Sequence, residues 1–122
     1  MSELLTEVLR SAGCSVIPVS DGREAVRRLG EGGIDVVVTD LCMPQMDGIQ
    51  LMTHLRSANR KVPVIAMSGA LSGHTDKMLH TVRLMGARFT FQKPFSPLLL
   101  VEAVHRVVGR EPDRRDGAEV GC

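Results

Sequence analysis

The run Ile34-Asp35-Val36-Val37-Val38-Thr39-Asp40 constrains this chain more than any other stretch. Side chains alternate across a strand, so three consecutive valines present apolar surface to both faces. A strand of that kind belongs in a parallel sheet covered on both sides. Its neighbours in sequence fit the same plan. Before it, Leu4, Leu5, Val8 and Leu9 recur at helical spacing, which predicts a first helix over the opening twelve residues, stopped by Gly13. Cys14–Val19 reads as a short strand, and Pro18 removes a ladder donor and so favours an edge. Asp21 with Glu24 resembles a capping box for a second helix with Ala25, Val26 and Leu29 on its apolar face.

The alternation continues after Asp40. Asp47-Gly48 opens a helix through about Ser57, with Leu51, Met52 and Leu55 inward. Val62–Met67 is the next strand, ending at Ser68-Gly69. Ser72-Gly73-His74-Thr75 leads into a helix carrying Met78, Leu79, Val82 and Met85. Phe89–Gln92 is the last strand, closed by Lys93-Pro94. Ser96 caps a final helix with Pro97 at its first position, where a missing N–H costs nothing. The expectation is a doubly wound α/β sheet of four parallel strands with helices on both faces, filling 1–108. The charged, aperiodic stretch from Gly109 to Cys122 reads as a flexible tail.

Composition narrows the function. A chain of 122 residues suits one domain, too short for a core plus an effector module. A formal charge of +1 gives no general attraction to nucleic acid or anionic membrane. Three Phe, with no Trp or Tyr, make a poor stacking platform for single strands. No apolar run is long enough to span a bilayer, and the N-terminus lacks a signal-peptide pattern. Three widely spaced cysteines, Cys14, Cys42 and Cys122, suit a reduced, cytoplasmic protein.

In doubly wound sheets the active crevice lies beyond the carboxyl ends of the strands. Asp40, Ser68 and Lys93 arrive there together. A carboxylate can attack phosphorus to form an acyl phosphate, and the negative oxygens of the transferring group need a cation and donors around them. Lys93 supplies the first and the Ser68 hydroxyl the second. Taken singly, each is as readily a turn cap or a solvated charge. The other candidates lean to plain roles. His54, His74, His80 and His105 show no ligand spacing. Met52, Met67, Met78 and Met85 fit core positions. Arg83, Arg88 and Arg106 form either a basic docking face or a solvated surface.

The flanks of the three residues are more specific. Asp40-Leu41-Cys42-Met43-Pro44-Gln45-Met46-Asp47-Gly48 resembles the D-x-x-M-P-x-x-D-G signature of response-regulator receiver domains. Ala66-Met67-Ser68-Gly69 and Phe91-Gln92-Lys93-Pro94-Phe95 are similar to the family's fourth- and fifth-strand signatures, in the expected order. The resemblance runs from about Leu4 to Val108. It implies a flavodoxin-like fold and phosphorylation by a sensor histidine kinase or phosphotransfer protein, with signalling to a downstream protein partner. It puts Asp40 at the phosphoacceptor position, Ser68 at the switch hydroxyl and Lys93 at the phosphoryl-holding lysine. It makes the Cys42 carbonyl and Asp40 magnesium ligands, and Lys93-Pro94 a cis bond. Such a domain assists its own phosphorylation and is not otherwise an enzyme.

Two departures stand out. The family's first strand, with the acidic pair that binds Mg²⁺, has no counterpart before the first helix; Glu3 is the nearest carboxylate and already lies in that helix. Magnesium binding is therefore expected to be weak. Thr90 stands where the family carries an aromatic switch residue, and Phe89 and Phe91 point to the other face. The missing strand would sit between Cys14–Val19 and Ile34–Thr39. Its gap closes by sliding, stays open, or is filled by another chain, which would make a dimer. Two functions follow: a phosphoacceptor receiver signalling by protein contact, or a receiver-like interaction module that is not phosphorylated. An upstream reading frame ending an apolar strand in acidic residues would mark an incomplete copy of an intact domain.

Overall fold

The computed structural model describes residues 3–19, 22–43, 46–59, 61–69, 75–109 and 117–121. Five helices alternate with strands: α1 (Glu3–Ser11), β1 (Ser15–Val19), α2 (Gly22–Glu31), β2 (Ile34–Asp40), β3 (Cys42–Met43), β4 (Met46–Asp47), α3 (Gly48–Ala58), β5 (Val64–Ser68), α4 (Thr75–Leu84), β6 (Phe89–Gln92), α5 (Pro97–Val108) and β7 (Gly117–Gly121). The main sheet runs β1-β7-β2-β5-β6 and every pairing in it is parallel. β3 and β4 form a separate antiparallel pair just beyond Asp40, so Asp47 ends a strand and α3 starts at Gly48.

The valine run behaves as its pattern demands. Val37 joins one core with Ala25 and Leu29 of α2, Leu51, Met52 and Leu55 of α3, and Leu79 and Val82 of α4. Val36 and Val38 join the opposite core with Leu5 and Leu9 of α1 and Leu100, Ala103 and Val104 of α5. β5 repeats the division, Val64 and Ala66 on one side and Ile65 and Met67 on the other. All three valines are fully buried, and burying such a side chain contributes about 1.5–3 kcal/mol. Slipping either strand by one residue would exchange its two faces.

The punctuation also acts locally. Gly13 takes φ +95°, a conformation that costs glycine no Cβ clash, and its N–H donates to the Arg10 carbonyl at 3.0 Å. Ser96 accepts from the Leu98 N–H, and Gly109 caps α5 in the left-handed region. β1 is an edge strand, as Pro18 requires. The Asp21 cap and the Ser72–His74 lead lie outside the described residues.

The expected loose tail is corrected over Gly117–Gly121. These residues form β7, pairing with β1 from Ser15↔Gly117 to Val19↔Gly121 and with β2 from Ile34↔Gly117 to Thr39↔Gly121. Among the described residues the main sheet therefore has five strands and not four, and the gap is filled by the chain's own later segment. Gly-Ala-Glu-Val-Gly carries no alternation that would announce a strand. What makes it one is the environment: two parallel edges whose N–H and C=O groups need partners.

Candidate functional site

Asp40, Ser68 and Lys93 come together at the carboxyl edge of the sheet because three strands end there. β2 and β5 are in register with Asp40 opposite Met67, so Ser68 follows directly beside the carboxylate's strand. The Leu41 N–H donates to the Met67 carbonyl at 2.8 Å, and the Lys93 N–H donates to the Ser68 carbonyl at 2.8 Å. The three backbones are thus tied into one edge. Lys93 Nζ then reaches back and donates to Asp40 Oδ2 at 2.5 Å. The Asp40 side chain is 13% exposed and that of Lys93 38%, while Ser68 is wholly buried. The Lys93-Pro94 bond is cis.

The geometry gives a carboxylate held against an ammonium at the carboxyl edge of the sheet. Mg²⁺ is a different matter. It demands near-octahedral oxygen ligation, commonly with one or two carboxylates. Among the described residues no group of three or more His, Cys, Asp or Glu side chains could hold a metal ion, and Asp40 is already engaged by Lys93. Cys42, whose carbonyl was the other expected ligand, lies in β3 opposite Asp47.

Thr90 is half-buried on β6 opposite Ala66, and its hydroxyl accepts a hydrogen bond from the Arg83 guanidinium of α4. Arg83, expected on a basic docking face or a solvated surface, thus has an intramolecular partner. The signal was its place in the last turn of α4, seven positions before Thr90. Phe89 and Phe91 pack on the α1/α5 core, as alternation dictates, and Phe91 stacks on Phe95 with centroids 5.1 Å apart. Met52 and Met67 are fully buried, and Met85 packs against the α2/α3 core. His54, His80, Arg88 and Arg106 are exposed. His105 ties α5 to the Ala12 carbonyl at 3.2 Å. Burial raises the Cys14 thiol above its ordinary pKa, which disfavours the reactive thiolate. His74 and the side chain of Met78 lie outside what is described.

A parallel sheet with helices on both faces and its polar residues gathered at the carboxyl edge defines a flavodoxin-like α/β protein. The family model for the response regulator receiver domain matches residues 1–105, and the chain belongs to that family. It is 30% identical to the chemotaxis protein CheY of Thermotoga maritima over 108 residues, covering 88% of each. It is 34% identical to the transcription factor SKN7 of Saccharomyces cerevisiae, covering 77% of this chain and 15% of that protein. Against the DNA-binding response regulator MtrA of Mycolicibacterium paratuberculosis it is 34% identical, covering 93% and 48%. The chain thus spans less than half of those two longer regulators. Among solved structures it resembles the receiver domain of a Francisella response regulator, with a TM-score of 0.76 and 29% identity over 88% and 87% of the chains. It also resembles the receiver domain of a Pseudomonas aeruginosa sensor histidine kinase solved with magnesium in its active-site cleft, at TM-score 0.73 and 29% identity over 88% and 87%.

Receiver domains of two-component response regulators are phospho-accepting signalling modules that work with histidine kinases and phosphotransfer proteins, and are generally not classical enzymes. Among the described residues no helix is long and apolar enough to cross a membrane.

Proposed function

We propose that this chain accepts a phosphoryl group on Asp40 and signals through protein contact. The Lys93–Asp40 ion pair at the carboxyl edge carries the reading. A carboxylate oxygen of Asp40 attacks the phosphorus of a phosphohistidine or small donor. The bond from phosphorus to the donor's leaving group breaks, and that group takes up a proton. Lys93 then moves from carboxylate to phosphoryl oxygens, with Ser68 as the neighbouring donor. Before transfer the same lysine withdraws charge from the nucleophile. Acceptance is therefore slow, and with Asp40 and the Cys42 carbonyl as its protein ligands Mg²⁺ would bind weakly.

The relatives SKN7 and MtrA are named as a transcription factor and a DNA-binding response regulator. The near-neutral charge of this chain supports an output by protein contact and not by nucleic acid. The test is incubation with acetyl phosphate, with and without Mg²⁺, read by intact mass. Slow labelling that is lost in Asp40→Asn is expected. Label that persists in Asp40→Asn would overturn the assignment, and fast labelling that requires Mg²⁺ would overturn the account of the metal.

A further inference from the structure

The two edges of the main sheet differ in how they are protected. β1 carries Pro18, which blunts an edge by removing a donor. β6, Phe89-Thr90-Phe91-Gln92, carries neither proline nor charge. Among the described residues no strand pairs with it on the side away from β5. Beside that edge lies a cavity of about 150 Å³, lined by Phe89 and Phe91 of β6 and by Leu99, Glu102, Ala103 and Arg106 of α5. An apolar cavity of such a size takes a benzene-sized group, so there is room for one leucine or phenylalanine side chain.

The charges along this groove are ordered. α5 begins just past β6 at the carboxyl edge, and His105 reaches the Ala12 carbonyl ahead of β1, at the amino edge. Arg106 therefore lies towards the amino end of β6, where the exposed Arg88 precedes Phe89. Glu102 stands about one turn of α5 nearer the carboxyl edge, and among the described residues no ion pair joins it to Arg106. Two arginines against one glutamate make the amino end of the groove complementary to an acid.

We propose that the free edge of β6 is a strand-docking site for an extended segment of a partner protein, with an apolar residue two positions from an acidic one. Side chains alternate along a strand, so residues two apart both face α5. The apolar side chain enters the cavity and the acid meets Arg106 and Arg88, while main-chain hydrogen bonds extend the sheet. This names a partner class for the protein contact proposed above and rests on that reading, but not on chemistry at Asp40. Docking can fail while acetyl phosphate still labels Asp40, and labelling can fail while docking stands.

The test uses the full chain and the acetylated peptide Thr-Thr-Leu-Thr-Glu-Thr-Trp. This chain lacks tryptophan, so anisotropy reports the peptide alone. Replacing the peptide's leucine by glycine should weaken binding at least tenfold, the scale of burying that side chain. Replacing its glutamate by lysine should weaken binding about fivefold. Arg106→Glu should reverse that preference, a rescue that a folding defect cannot mimic. Methylating the peptide N–H groups one at a time should weaken binding only at alternate positions, as a paired strand requires. Failure of the unmodified chain to bind the peptide would overturn the proposal, as would equal affinity for the glutamate and lysine peptides. Methylation effects without alternation would assign the groove to a helix, and a dimer that excludes the peptide would assign it to a second copy; either overturns it.

Discussion

Removing Lys93 tests whether the ion pair seen at the crevice exists in solution and what it does there. Its Nζ lies 2.5 Å from Asp40 Oδ2, with one side chain 38% and the other 13% exposed. Exposed pairs contribute about 0.2–1 kcal/mol, while breaking a buried pair costs about 3–5 kcal/mol. A half-sheltered pair falls between, so Lys93→Ala should cost roughly 2 kcal/mol. In a chain of this size that lowers Tm by about 8 °C. Asp40→Asn removes the same charge attraction from the other end. If the two groups act on each other, the double variant should be little worse than either single one, with a coupling of about 1–2 kcal/mol. Urea unfolding followed by far-ultraviolet circular dichroism measures all four members of the cycle, which suits a chain without Trp or Tyr. A coupling below about 0.5 kcal/mol would refute the pair as a property of the molecule. The functional half of the prediction follows from the same geometry. Lys93→Ala should still be labelled by acetyl phosphate, because the nucleophile is relieved of its cation. It should lose the phosphorylation-dependent change in hydrogen exchange along β5 and β6, because no ammonium remains to move onto the phosphoryl group. Equal loss of both would refute that division of labour.

Three further substitutions probe the frame around the site. Leu55→Ala opens the fully buried α2/α3 core and should cost about 2–5 kcal/mol in urea unfolding. Gly86→Ala places a Cβ at φ +113°, 3.2 Å from the Arg56 guanidinium carbon; a drop of about 1–2 kcal/mol is expected, checked by thermal unfolding. His105→Ala removes the tie between α5 and the Ala12 carbonyl, and the loss should be about 1 kcal/mol in the same measurement.

Most of the frame was legible because its signals are local. The valine run specified a two-faced strand, and Val36, Val37 and Val38 divide between the two cores as alternation requires. Pro18 marked an edge and Ser96-Pro97 a helix start, and both stand where those residues' backbone chemistry puts them. Asp40 and Lys93 were legible as neighbours because strand ends converge in this topology, and they are in direct contact. What was not legible was non-local. Glu119 and Val120 became strand through edges formed about eighty to a hundred residues earlier, which no window of sequence can display. The Arg83–Thr90 hydrogen bond likewise depends on how α4 packs beside β6, not on either residue's own pattern.

The position of β7 has a consequence for how the protein is made. Ser15 pairs with Gly117 and Thr39 with Gly121, so two strands made early wait for a neighbour made late. At ordinary synthesis rates the interval from Asp40 to Gly121 is on the order of ten seconds. Throughout it the nascent chain carries β1 and β2 with facing edges unpaired, and exposed edges are what chaperones and aggregating chains both recognise. The longest-range strand pairings, those of β7 with β1 and β2, lie within the main sheet, which raises contact order and slows folding. Synthesis of Gly117–Gly121, and not emergence of the valine strand, is then the event that closes the sheet.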